Sequence, residues 1–446
     1  MLILQLFKCL IFRYVIGNCE TIEKKFLCLR GERCYMNKKK CMLVVTMIML
    51  GAMLGISGVL GKAKMNAKVS SRVDVRSYGA VGDGITDDTE AIAKAMKENV
   101  GRDIYFPTGI YVISEKINIY SDTSIMGDGV GSKIIAASGK ASGTEIFQIY
   151  GEKNISISNI CVSGNSQVNN GEQHSDQDGI HLLDMWNVKD ITIEECYFID
   201  NIYCAIRIFG GENITVSNTK ILNVDCGVSA IGKNNVKNLI VNNCYFKGHY
   251  RSEAISLYGS GVYENIYIYS NVIEDKTSGH GIMFNNQSVN KKIYIRDNII
   301  SNCAVAISAF NIIEGEVIGN VVSGTTSGRG MEIYNCDNVL VDNNIVSNTN
   351  FDSLSIKACS KSIFNNNFIM ITSNAKNANM AGIKILEENK EVTIFNNTVK
   401  QVEKSLNKFS IYIKGYGNVK IYENQLNGLP IYKSQDSFGI DIMSND

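Results

Sequence analysis

Most of this chain repeats one short pattern, and that repeat constrains its fold more than any other feature. A polar residue is followed by alternating aliphatic positions and then by an Asn-rich corner. The pattern reads Asn154-Ile-Ser-Ile157, Asp190-Ile-Thr-Ile193, Asn213-Ile-Thr-Val216, Asn238-Leu-Ile-Val241, Asn265-Ile-Tyr-Ile268 and Lys292-Ile-Tyr-Ile295, and continues through Val317, Val341, Ile363, Ile394 and Ile421. Successive anchors lie 22 to 36 residues apart, which predicts eleven turns with insertions in the first and ninth intervals. Between the anchors run segments of the form small-aliphatic-x-aliphatic. They include Gly179-Ile-His-Leu182, Ala205-Ile-Arg-Ile208, Gly227-Val-Ser-Ala230, Ala254-Ile-Ser-Leu257 and Gly281-Ile-Met-Phe284, with later copies at Gly330, Gly382 and Gly439. Two or more short strands per turn, alternating with period two and without intervening helices, predict an all-β parallel β-helix. Leucine-rich repeats share the period, but their Leu signature is absent.

The corner supports the same reading. Asn271, Asn298, Asn320, Asn344, Asn366, Asn397 and Asn424 share one repeat position. Stacked there, their amides would bond between turns and to the bent backbone. Earlier turns carry Ile160, Cys196, Thr219 and Cys244 instead. The chain holds 13 Cys spread over 446 residues, which fits buried thiols at repeat positions rather than a disulfide scaffold. Cys204 and Cys226 stand close enough for a bridge; Cys196 and Cys244, two turns apart, do not.

Ahead of the repeat, a basic patch at 37–40 precedes a run without charge from Met42 to Leu60, ending in small residues. This order reads as a signal peptide or an uncleaved signal anchor over 36–67. Residues 1–35 read as an upstream extension and 68–446 as the β-helix domain, expected to work outside the cytoplasm or in the cell envelope. Any membrane contact would come through the anchor alone. Lys+Arg and Asp+Glu balance at 44 each, so the chain lacks the field a nucleic-acid partner would require.

The most specific motif runs from Val73 to Ile135. Val73-Asp-Val-Arg-Ser-Tyr-Gly-Ala-Val-Gly-Asp-Gly-Ile-Thr-Asp-Asp-Thr-Glu-Ala-Ile92, Tyr105-Phe-Pro-Thr-Gly-Ile-Tyr111 and Ser124-Ile-Met-Gly-Asp-Gly129 resemble the opening of the rhamnogalacturonase/epimerase-like pectate lyase superfamily. That resemblance implies a right-handed parallel β-helix, mostly secreted, that binds or cleaves polysaccharides; phage tailspike proteins share the same start. Read from the residues, Asp87 and Glu90 open a capping helix through about Glu98, with Ala91, Ile92, Ala95 and Met96 on one face to plug the coil end. The pair Asp87-Asp88 is then structural rather than catalytic.

Residues at one repeat position on neighbouring turns stand about 4.8 Å apart, so candidate groups can be placed by alignment. The first insertion carries His174, Asp176 and Asp178, and its Asp176-Gln-Asp-Gly-Ile180 resembles the catalytic-Asp element of polygalacturonases. The likeness stops there, because Tyr203-Cys204, Asp225-Cys226-Gly227 and Ser256-Leu-Tyr258 replace the family's further motifs, and Gly279-His-Gly281 falls turns away. The residues alone leave hydrolysis and β-elimination open. Hydrolysis would use carboxyl pairs, Asp178 with Asp225 or Asp225 with Glu253. Elimination would use His181 and Arg207, expected to point outward about 5 Å apart on consecutive strands, beside Asp178. These five form the predicted catalytic set, with His174, Asp176, Tyr203, Tyr258 and His280 as substrate contacts. The carboxylates around His174 also suit Ca²⁺. Tyr258, Tyr263, Tyr267, Tyr269 and Tyr294 are expected to face outward, and Trp186 to serve as loop plug or sugar platform. The predicted function is cleavage of an acidic, uronate-containing polysaccharide. The alternatives are a glycan-binding adhesin or tailspike-like module, and a uronate epimerase.

Overall fold

The computed structural model describes residues 72–139, 145–167, 180–248, 252–285, 287–371, 380–401 and 409–446. The expected upstream extension and signal segment lie outside them, as do His174, Asp176 and Asp178. Among the described residues no helix is long and apolar enough to cross a membrane.

Every strand pairing among them is parallel, and each strand bonds to the equivalent strand of the next turn. Each full turn has three walls. The first wall carries the anchors, in register from Ile157 through Ile193, Val216, Val241, Ile268, Ile295, Val317 and Val341 to Phe364, Ile394 and Ile421. The second wall is a short strand after the corner, with Phe198, Ile221, Phe246, Ile273 and Ile300 stacked inward. The third wall holds the small-aliphatic-x-aliphatic segments. Inward residues of all three walls are essentially inaccessible and form one continuous core. Like residues stack on like, so each aliphatic position meets the same shape above and below.

Two Asn ladders hold the corners. The polar residue opening each repeat sits in the left-handed backbone region (φ 54° at Asn154, 59° at Asn213, 55° at Asn238 and 57° at Asn265), which Asn tolerates better than most residues. Its side chain bonds to the turn before: Asn213 donates to Asp190 at 2.7 Å, Asn238 to Asn213 at 2.7 Å and Asn265 to Asn238 at 3.0 Å. The second ladder is buried. The Asn344 amide donates to the Val317 carbonyl at 2.8 Å and to Asn367 Oδ1 at 2.9 Å, while its own oxygen accepts from the backbone and side-chain N–H of Asn320.

The register corrects the alignment in four places. In the ninth anchor turn the inward residue is Phe364, fully buried, whereas Ile363 is 42% exposed. The ladder Asn is likewise Asn367 rather than Asn366, which bonds Asp342 on the exposed corner. On the third wall Leu183 pairs with Ile206, so the alignment starting at Gly179 runs three residues early. The Gly439 copy belongs to the first wall, where Ile440 pairs with Val419. The ladder also reaches upstream through Ile125, Ile104 and Val73, which lack the Asn-led pattern.

The predicted capping helix is present as α1, Thr89–Glu98, burying Ile92, Ala95 and Met96. The N-cap position is Asp88 rather than Asp87, and its carboxylate makes no bond to the helix but accepts from the N–H groups of Val81 and Gly82, while Asp87 accepts from the Thr89 N–H at 3.0 Å; both carboxylates are structural. Gly82 is required there, because φ is 68° and a Cβ would lie 2.8 Å from the Tyr111 ring.

Replacing Asn344 by Ala removes two donated and two accepted hydrogen bonds in a buried column. It is expected to destabilise the protein by about 3 kcal/mol or more, read as a lower denaturant midpoint, whereas Asn366→Ala on the exposed corner is expected to cost under about 1 kcal/mol.

Candidate active site

The outward column of the third wall runs Gln148, Asp184, Arg207, Ser229, Ser256, Met283, Ser308 and Glu332, one residue per turn. Alternation along each strand turns these side chains away from the core. Ser229 and Ser256 are small, and their hydroxyls lie 2.9 Å apart. Both are buried, and they stand in the column between the bulkier Arg207 and Met283.

Two residues further along each strand stand Tyr150, Trp186, Phe209, Ile231 and Tyr258. Trp186 stacks on Phe209 with centroids 3.9 Å apart, so those two rings spend faces on each other. Tyr258 pairs with Ile231 and is 51% exposed, which leaves ring surface for a ligand. Tyr263, expected outward, is fully buried and donates to the Tyr258 carbonyl at 2.8 Å. Tyr267 and Tyr294 stack on each other on the first wall, away from this column.

Three residues before Ser229, Ser256 and Met283, on the opposite side, are Cys226, Glu253 and His280. Asp225 and Glu253, one of the predicted carboxyl pairs, both touch Ser252 here. Ser252 donates its backbone N–H to Asp225 at 3.2 Å and its hydroxyl to Glu253 at 2.7 Å, so one residue links carboxylates from consecutive turns. His280 Nδ1 lies 3.5 Å from the other Glu253 oxygen. Alignment on Asp178 places His280 turns away, whereas the register puts it one turn from Glu253. Burial pushes the Glu253 carboxyl up, but the neighbouring His280 imidazole, whose Nδ1 makes no hydrogen bond among the described residues, and the Ser252 hydroxyl outweigh it and leave the net shift below the ordinary value. Lys276, which sequence reasoning missed, is buried beneath this edge and donates to the carbonyls of Val224 at 2.7 Å and Asp225 at 3.0 Å. Burial lowers its pKa. Its signal in sequence was only a lone Lys beside the turn after Glu274-Asp275.

His181 and Arg207 do not form the predicted outward pair. Arg207 is in register with Asp184, and His181 with Glu145. His181 is 1% exposed, its ring edge-on to Tyr203 with centroids 4.6 Å apart, and its Nδ1 has no hydrogen-bond partner among the described residues. Burial, followed by the Arg207 charge, lowers its pKa to about 2, so it stays neutral. Arg207 does stand on the site wall, but its Nε donates to Asp184 at 2.7 Å and a terminal nitrogen lies 3.5 Å from Glu145. Asp184, inaccessible to solvent, also accepts from Trp186 Nε1 at 2.6 Å. Sequence reasoning overlooked Asp184 and Glu145, although an Asp within the apolar run Leu182-Leu-Asp-Met-Trp186 calls for a charged partner.

The Cys204 and Cys226 thiols face each other from paired positions, and all eight described cysteines are free and buried. Among the described residues no group of three His, Cys, Asp or Glu side chains could hold a metal ion. A depression of about 240 Å³ lies on the first wall, lined by Tyr294, Glu314, Glu316, Lys361 and Ile363. Arg296 engages Glu316 there, and among the described residues no serine bridge like that of Ser252 joins Glu314 to Glu316, so the third wall carries the better chemistry.

Comparison with known proteins agrees with this architecture. The family described as rhamnogalacturonase A/epimerase, pectate lyase-like, matches residues 72–338. The pre-neck appendage protein of Bacillus phage B103 is 36% identical over 100 residues, 21% of this chain and 11% of that protein. The chain therefore matches only about a tenth of that relative's length. Among solved structures, the Streptococcus pneumoniae surface protein and adhesin PfbA aligns with 83% of this chain and 100% of its own at TM-score 0.53 and 18% identity. The catalytic unit of a GH87 α-1,3-glucanase from Streptomyces thermodiastaticus strain HF3-3 aligns with 84% of this chain and 70% of its own at TM-score 0.52 and 12% identity. These two structures share the fold.

The depressed pKa of His181 has a consequence for stability. The unfolded chain protonates this residue near pH 6.5 and the folded chain does not, so stability is fully present above that pH and falls as pH drops toward 2. In that window the slope from this group approaches about 1.4 kcal/mol per pH unit. His181→Phe is expected to flatten the decline between about pH 6 and pH 4 in thermal melts.

Proposed function

The chain belongs to the rhamnogalacturonase A/epimerase, pectate lyase-like family, and from that premise we propose that it is a polysaccharide hydrolase acting on an acidic, uronate-containing glycan. The observation that carries this reading is the pair Asp225 and Glu253, linked through Ser252 on an outward wall. Consecutive turns place such carboxyl groups roughly 5 to 7 Å apart, within the range glycoside hydrolysis uses. Glu253, kept ionised by Ser252 and His280, suits the base or nucleophile. Asp225 then takes the acid role, donating a proton to the leaving oxygen. Ser229 and Ser256 line the groove, and Tyr258 offers a ring surface to a sugar.

Elimination fits less well. It needs a free cation next to the base to neutralise the uronate, but Lys276 is bonded to two carbonyls and Arg207 is held by Asp184. Arg207 lies two turns from Ser256, roughly 10 Å, and serves better as a neighbouring sugar subsite. Export to the cell surface or beyond is part of the same proposal, in keeping with the surface adhesin that shares the fold.

The test is a panel of acidic and neutral polysaccharides incubated with the full chain. New reducing ends without ultraviolet absorbance from unsaturated products support hydrolysis; unsaturated products would move the assignment to a lyase, and binding without either to an adhesin. Asp225→Asn and Glu253→Gln are each expected to lower kcat by a factor of about 100 or more with little change in KM. Wild-type activity is expected to fall in acid as Glu253 protonates below its ordinary value of 4.5.

A further inference from the structure

Arg207 has two carboxylate partners that differ in kind. Asp184 is inaccessible, bonds Nε at 2.7 Å, and is itself held by the Trp186 indole at 2.6 Å. It is a fixed counter-ion that aims the guanidinium. Glu145 is partly exposed, sits 3.5 Å from the terminal nitrogen, and reaches it from the far end of its strand. The Phe209 ring backs the guanidinium with its centre 4.8 Å from the guanidinium carbon. A guanidinium so held at Nε presents its remaining N–H groups in a fork that fits a carboxylate.

We infer that Glu145 occupies, in the free protein, the carboxylate seat on Arg207 that a uronate of the glycan takes in the complex, so that the ligand binds by displacing it. This rests on the reading of the third wall as a glycan groove and adds the device that ties binding to pH. Four charged or titratable groups face Glu145: Asp184 and His181 from the next strand, Arg207 from the one after, and Lys116, which donates to Gln148 at 2.8 Å. Burial raises the Glu145 pKa and Asp184 raises it further, against the opposing pull of Arg207 and Lys116; His181 stays neutral. As pH falls, Glu145 therefore takes up a proton before an ordinary glutamate would and gives up its claim on Arg207. A sugar uronate keeps its charge to lower pH, so affinity is expected to rise from neutral to mildly acidic conditions. The buried Asp184, bonded to Nε, keeps the guanidinium aimed.

The test is calorimetric titration of the full chain with trigalacturonate, and with maltotriose as the uncharged control, at about pH 5 and about pH 7.5. Wild type is expected to bind the acidic trisaccharide about tenfold tighter at the lower pH. Glu145→Gln is expected to bind it as tightly at both, matching wild type at the lower pH, while Arg207→Met loses preference for the acidic sugar. If Glu145→Gln keeps the wild-type pH profile, or if wild type fails to bind trigalacturonate at either pH, the inference is overturned. Cleavage by wild type and its loss in Asp225→Asn and Glu253→Gln are read separately, so the hydrolase reading can stand where this one fails.

Discussion

The hydrogen bonding of each turn to the next governs everything else in this molecule. Because every pairing is parallel and in register, a residue's neighbours are the residues at the same repeat position above and below. Sequence distance disappears as a variable: Glu253 and His280, 27 residues apart, become adjacent. The corners are where such a stack would fail, since a bent backbone leaves N–H and C=O groups unpaired. The buried column Asn271, Asn298, Asn320, Asn344, Asn367, Asn397 and Asn424 answers that need by bonding the backbone and the next amide together. It also resists slippage, because a one-residue shift would put an amide against the aliphatic core.

The same constraint accounts for how much could be read without coordinates. Properties repeated from turn to turn were legible, the strand alternation, the anchors and, from Asn271 on, the Asn corner, and the single capping helix was legible from its own apolar face. Errors arose where one turn departs from its neighbours. The insertion 164–179 hides the start of the third-wall strand, so the repeat pattern matches His181 to Arg207 when its true counterpart on that strand is Cys204. In the ninth turn Ile363 and Asn366 imitate the pattern one residue early, and only packing shows that Phe364 and Asn367 face inward. That Asp225 and Glu253 stand on consecutive turns was legible because the turns around them align well. Glu145, Asp184 and Lys276 were not, since each acts through a partner on another turn.

Chemistry on such a scaffold is set by which outward columns hold small residues and which hold charge. Along the third wall the serines at 229 and 256 interrupt a column otherwise occupied by Asp184, Arg207, Met283 and Glu332. Carboxylates gather on one side of that gap and an exposed tyrosine on the other. The charged residues that hold the site together, Asp184 and Lys276, are buried and each makes two side-chain hydrogen bonds. Those assigned to a ligand, Glu253, His280 and Arg207, retain part of their surface.

Cross-linking tests the register on which these assignments rest. Ser229→Cys and Ser256→Cys, introduced together, should join on mild oxidation, and peptide mapping should find the 229–256 disulfide in high yield. Ser229→Cys combined with Leu257→Cys should not join, because the side chain at 257 faces the core. If the combination with 257 joins instead, or if the 229–256 bond is absent, adjacent turns are out of phase and Arg207, Glu253 and Tyr258 do not share a wall.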